Sequence, residues 1–247
     1  MPNNPREMSF LEHLEELRHR LIKSVASILV FSIGAYFISD QIIAIITRPI
    51  DEVYFMAPTE AFAVRIKISL FVGLILALPV VLYQVWQFVV PGLYSHETRI
   101  VIPMVLLATL FFVGGAAFCF FIVLPIGIQF LIGFGTEKLK PLIAVGRYVS
   151  FVAWMTLSFG VVFELPIVTF FLGRVGLIHS GMLRKGRRYA LVAILIVAAA
   201  VTPSPDMFSQ LLLAGPLYFL YEASIIVVRL TGKSEKERNR PEDDSEA

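Results

Sequence analysis

Hydrophobic and polar positions follow two different patterns along this chain. Over residues 9–21, Phe10, Leu14, Leu17 and Leu21 recur at spacings of four, three and four and so share one helix face. Glu12, Glu15, Glu16, Arg18 and His19 fill the opposite side. Ser9 and Glu12 are placed as in a capping box at the start. The pattern predicts a short amphipathic helix that can lie at a membrane surface and lead into the next segment. Beyond it the apolar positions stop alternating and form blocks, predicting membrane spans at about 22–46, 68–90, 100–130, 148–172, 189–201 and 208–228. The second block ends in Tyr83, Trp86 and Phe88, an aromatic belt of the kind found at an interface. The fifth has about thirteen residues before Thr202-Pro203-Ser204-Pro205-Asp206 interrupts it. Fifth and sixth are both marginal against the ~20 residues an ordinary bilayer needs, which implies local thinning or shelter inside the bundle. Residues 233–247 are charged and without apolar period, so they read as a disordered cytoplasmic tail after a single transmembrane domain over 1–232.

Composition agrees with the blocks. Hydrophobic residues make up 57% of the chain and charged residues 16%, and the mean hydropathy is +0.78. One soluble core of 247 residues cannot hide that much apolar surface, so the class is an all-α polytopic membrane protein. The net charge of +2 gives no footprint for nucleic acid. Cys119 is the single cysteine, which excludes an internal disulfide and a cysteine metal cluster. The charged first twenty residues do not read as a cleavable signal peptide. With the N-terminus inside, 15 of the 21 lysines and arginines fall in inner segments and 6 in outer loops. That bias predicts both termini on the cytoplasmic side, which an even number of spans allows.

Three carboxylates stand out. Glu164 lies in Ser-Phe-Gly-Val-Val-Phe-Glu-Leu-Pro-Ile-Val, where a carboxylate at membrane depth is costly unless protonated, paired or hydrated. It is either a group near an interface or a polar contact facing a cavity or partner helix. Pro166, two residues on, removes a backbone donor and can open a kink there. Glu16 and Glu97 fall in separate inner segments, and each also reads as an ordinary surface charge, paired with Arg20 at i+4 or with nearby Arg99. On one face they would form an anionic site fitted to guanidinium groups. Enzymatic readings find little support. His96-Glu97-Thr98-Arg99-Ile100 lacks a second histidine for zinc, and there is no nucleophile elbow or phosphate loop. No cofactor is expected. The competing reading is a proton-coupled secondary transporter of small solutes using Glu164, with Gln84, Gln87 and Gln129 as the other polar candidates in spans.

Four segments carry a family resemblance. His13-Leu14-Glu15-Glu16-Leu17-Arg18-His19-Arg20-Leu21 resembles the N-terminal signature of the TatC family, the receptor core of the twin-arginine protein translocase. Pro79 to Phe88 with Pro91-Gly92-Leu93-Tyr94-Ser95-His96-Glu97 is similar to its second-span and first-cytoplasmic-loop signature. Phe159 to Pro166 resembles its fourth-span motif, and Thr202 to Gln210 its short outer turn. The resemblance implies a non-enzymatic receptor in a bacterial or archaeal-type cytoplasmic membrane. Such a receptor binds twin-arginine signal peptides of folded proteins and assembles single-span TatA and TatB partners, and copies of itself, for export driven by the proton-motive force. It implies signal-peptide contacts at Glu16, Glu97, Arg18 and Phe88, an intramembrane polar contact at Glu164, and partner docking around Thr202, Gln210 and Asp206.

Overall fold

The computed structural model describes residues 10–50, 53–89, 101–135, 142–201 and 207–231. Ten α-helices run through them: α1 (Phe10–Tyr36), α2 (Ser39–Thr47), α3 (Glu60–Val89), α4 (Val101–Phe118), α5 (Leu124–Ile132), α6 (Val145–Phe163), α7 (Leu165–Val175), α8 (Ser180–Lys185), α9 (Arg187–Val201) and α10 (Met207–Thr231). The described residues contain no strand, only an isolated parallel bridge between Tyr54 and Ala144. Among the described residues, four apolar stretches are long enough to cross a membrane: Glu60–Val89, Val101–Ile132, Val145–Val175 and Gln210–Leu230. The bent pair α1 and α2 makes a fifth if taken together. Helix α9, the expected fifth span, has 15 residues and rises about 22 Å, short of a ~30 Å hydrocarbon core. The tail at 233–247 lies outside the described residues.

The helices break where the chain chemistry requires it. Helix α1 passes through Leu21 without interruption, so the amphipathic segment and the first apolar block form one helix. A straight helix on to Thr47 would be about 57 Å long, nearly twice the hydrocarbon thickness. Instead the chain turns at Phe37 and Ile38, and α2 leaves at 81° to α1. Asp40, in the first turn of α2, meets the Arg65 guanidinium of α3 at 2.7 Å. Between α4 and α5 the ladder widens to one π turn over Cys119–Val123, with the Leu124 N–H reaching the Cys119 carbonyl. Pro125 follows directly and has no N–H to offer the turn behind it. Glu164 separates α6 from α7, with Pro166 in the first turn of α7. Helix α7 ends at Gly176, whose φ of +82° lets Leu177 N–H close back on the Leu172 carbonyl at 3.0 Å.

The chain divides into two compact units, residues 1–161 and 162–247. In the first, α1 packs along α3 and α3 along α4. Ser24, Ser32 and Ala35 are buried on α1, and Gly73 of α3 takes the backbone of Ser32 directly against its Cα. The buried serines bond their own helix, Ser24 Oγ to the Arg20 carbonyl at 3.0 Å and Ser32 Oγ to the Ile28 carbonyl at 2.7 Å. Leu78, Phe112 and Ala116 form an apolar cluster backed by Leu82 and Leu157. In the second unit α10 packs against α7, α8 and α9. Gly173 faces the Val228 side chain, the Arg187 guanidinium pairs with Glu222 at 2.7 Å, and the Tyr221 hydroxyl donates to the Leu183 carbonyl at 2.7 Å.

Candidate functional site

One line of polar groups on α1 turns toward the protein, while Glu12, Glu15, Arg18 and His19 stay exposed. Residues 13, 16, 20 and 24 follow one another at three- and four-residue steps and so occupy one face. That face ends on buried Ser24, whereas Leu14, Leu17 and Leu21 are exposed, Leu21 by 61%. A membrane helix places its apolar stripe toward lipid and its polar stripe toward protein, the reverse of a surface helix in water.

At the N-terminal end of this stripe four side chains come together. The His13 ring stacks on Phe88, at the end of α3, with centroids 4.3 Å apart and planes 19° from parallel. His13 Nδ1 lies 4.0 Å from Glu16 Oε2. Arg20 donates through both Nε, at 3.0 Å, and Nη2 to the other oxygen of the same carboxylate, Oε1. The Glu16 and Arg20 side chains are 21% and 14% exposed. The result is a mostly sheltered carboxylate with one oxygen taken by a resident cation and the other beside an aromatic stack. Such an arrangement suits a cationic, planar donor group.

Of the residues singled out in the sequence, Glu16 and Phe88 are thus brought into one cluster. Arg18 is exposed and lies two residues beyond Glu16, about 200° round the helix, away from that cluster. Glu97, Thr202 and Asp206 lie outside the described residues. Glu164 is half-buried at the junction of α6 and α7; its backbone carbonyl accepts from Ile167 and Val168, at 3.0 and 2.9 Å. Its Oε1 is buried and has no hydrogen-bond partner among the described residues. Gln210 Nε2 donates to the Leu195 carbonyl at 2.9 Å and so ties α10 to α9. Two members of the cluster, His13 and Arg20, were not among the expected site residues. For Arg20 the signal was present as the i+4 spacing to Glu16; for His13 it was the i+3 spacing, since its ring partner is 75 positions away.

An all-helical body with several membrane-length apolar helices defines the class, a polytopic membrane protein. The family model for Sec-independent protein translocase protein (TatC) matches residues 12–216. A Sec-independent protein translocase protein TatC from Carboxydothermus hydrogenoformans is 42% identical over 226 residues, 90% of this chain and 93% of that relative. The TatC protein of Aquifex aeolicus is 41% identical over 238 residues, covering 93% and 98%. The crystal structure of a twin arginine translocase receptor, TatC, superposes with a TM-score of 0.80 at 41% identity, over 89% of this chain and 99% of that one. The chain belongs to the TatC family of Sec-independent protein translocase proteins, and its role is that of a membrane-embedded transport component.

Proposed function

We propose that this protein is the receptor subunit that captures twin-arginine signal peptides of folded cargo at its cytoplasmic face. The observation that carries the reading is the Glu16 carboxylate, whose Oε2 has no donor closer than His13 Nδ1, at 4.0 Å, among the described residues, and lies beside the His13–Phe88 stack. A signal arginine would donate to that oxygen, with its guanidinium plane against the aromatic pair. Glu97, in the following inner segment of the expected topology, would supply the second carboxylate, and Arg18 on the outer side of α1 would contact the remainder of the peptide. The lysine and arginine bias supports a cytoplasmic position for both termini.

The second half of the chain would assemble the single-span partners, TatA and TatB, around additional copies of the receptor. Glu164, whose buried Oε1 has no hydrogen-bond partner among the described residues, would meet a polar group on a partner helix. Gln210, with Thr202 and Asp206 in the preceding turn, would line the docking region, and a partner would exchange for or reinforce the Gln210–Leu195 bond. Export would be driven by the proton-motive force.

The test is binding of a peptide bearing consecutive arginines to the purified protein in nanodiscs. Glu16→Ala or Glu97→Ala should weaken capture while most of the protein still inserts, and Lys-Lys replacement in the peptide should release it. Unchanged binding by the double variant would remove the assignment.

A further inference from the structure

The Glu16 carboxylate already holds a guanidinium. Arg20 directs both Nε and Nη2 at Oε1, and nothing on Arg20 engages Oε2. A two-pronged arginine–carboxylate match uses both oxygens. An arriving arginine therefore finds Oε2 alone unless Arg20 lets go. Arg20 sits four residues along the same helix, which makes its own encounter with Glu16 intramolecular and its effective concentration high. It is also the more sheltered partner, 14% exposed against 21%, on the same helix face as buried Ser24.

We infer that Arg20 is a built-in competitor for the arginine site, setting both the affinity of Glu16 for a signal peptide and its preference for arginine over lysine. The inference rests on the reading of Glu16 as an acceptor for signal arginines. With Arg20 in place, Glu16 offers one oxygen, so the fork of an arriving guanidinium realises only part of its advantage over an ammonium. Without Arg20, Oε1 is released as well, and the fork of an arginine gains a contact that lysine cannot match. A resident cation thus keeps binding reversible, so that captured cargo can be handed on. This role differs from that of an ordinary i,i+4 pair, which adds to helix stability and leaves ligand binding unaffected.

The experiment compares the full-length protein with Arg20→Met, Arg20→Lys and Glu16→Gln variants in nanodiscs, using fluorescent peptides that carry Arg-Arg or Lys-Lys. Methionine keeps an apolar stem of similar reach, so packing on that helix face is preserved. Arg20→Met should bind the Arg-Arg peptide about three- to tenfold tighter, the range expected for releasing a partly sheltered ion pair. Its ratio of Arg-Arg to Lys-Lys affinity should rise in parallel. Arg20→Lys, which keeps the charge but loses the fork, should tighten binding by a smaller factor. If Arg20→Met binds the Arg-Arg peptide no better than the parent, at an unchanged thermal midpoint, the inference fails. Should Arg20→Met not be recovered folded, weaker binding by Arg20→Lys has the same consequence. Glu16→Gln separates the two levels. Unchanged binding in that variant overturns Glu16 as the acceptor, whereas weakened binding there with no gain in Arg20→Met overturns only the competitor role.

Discussion

The amide of Gly146 donates to Glu60 Oε1 at 2.7 Å, joining the start of α6 to the start of α3 across 86 residues of sequence. The other oxygen of Glu60 accepts from the Met56 amide at 2.5 Å. Alongside, Tyr54 N–H donates to the Ile143 carbonyl at 3.0 Å and Val145 N–H to the Tyr54 carbonyl at 2.8 Å, while the Tyr148 hydroxyl reaches the Ile46 carbonyl at 2.8 Å. One carboxylate therefore clamps the loop after α2 to the segment that leads into α6.

Glu60→Ala removes two acceptors at once and should lower the thermal midpoint in detergent, with Glu60→Gln falling between it and the parent. Gly146→Ala attacks the same contact from the other side, because its Cβ would lie 2.5 Å from Glu60 Oε1. The double variant should then be little worse than the worse single one, since both lose one interaction. Fully additive losses in thermal unfolding would show that Glu60 and Gly146 act separately.

Close packing of α1 on α3 depends on a missing side chain. A Cβ on Gly73 would come within 2.6 Å of Ser32 Cα and N, which are backbone atoms that cannot step aside. Gly73→Ala should therefore destabilise by about 1–3 kcal/mol through overpacking. At Gly160 the nearest atoms are the tip of the Phe112 ring, which can shift, so Gly160→Ala should cost less. Gly114 has no neighbour within 4 Å of that position, and Gly114→Ala should leave stability unchanged or raise it. Unfolding midpoints of the three variants check the order, and a Gly73→Ala protein as stable as Gly114→Ala would contradict the packing argument.

Glu164 separates hydrogen bonding from charge. Its buried Oε1 lacks a hydrogen-bond partner among the described residues, so the two properties can be tested apart at this position. Glu164→Gln keeps an acceptor in the same place and should retain more export of a twin-arginine reporter than Glu164→Ala. An equal loss in both variants would point to charge as the property that matters.

Much of this molecule is written locally. Block hydrophobicity marked the apolar segments because lipid-facing helices need long runs without charge, and the breaks at Pro125 and Glu164–Pro166 sit where a backbone donor is missing. The Glu16–Arg20 pair could be read from an i+4 spacing, since one turn of helix fixes that proximity whatever surrounds it. The leucine stripe of α1 was equally visible, but periodicity identifies a face without saying which medium it meets. In the fold the leucines are exposed and the line from His13 to Ser24 turns inward.

Helix-to-helix register lies beyond local pattern. His13 on Phe88, Asp40 with Arg65 and Glu60 with Gly146 each depend on how far one helix slides along another. That offset is set by the sum of side-chain contacts along the interface, among them the close seat of Ser32 on Gly73. The sequence by itself determined an all-helical membrane protein and the residue types at its candidate site. Tertiary structure decided that α1 turns by 81° into α2, that the line from His13 to Ser24 meets protein, and that one oxygen of Glu16 is already occupied. The first set follows from spacing within a turn or a span, and the second from packing between segments far apart in the chain.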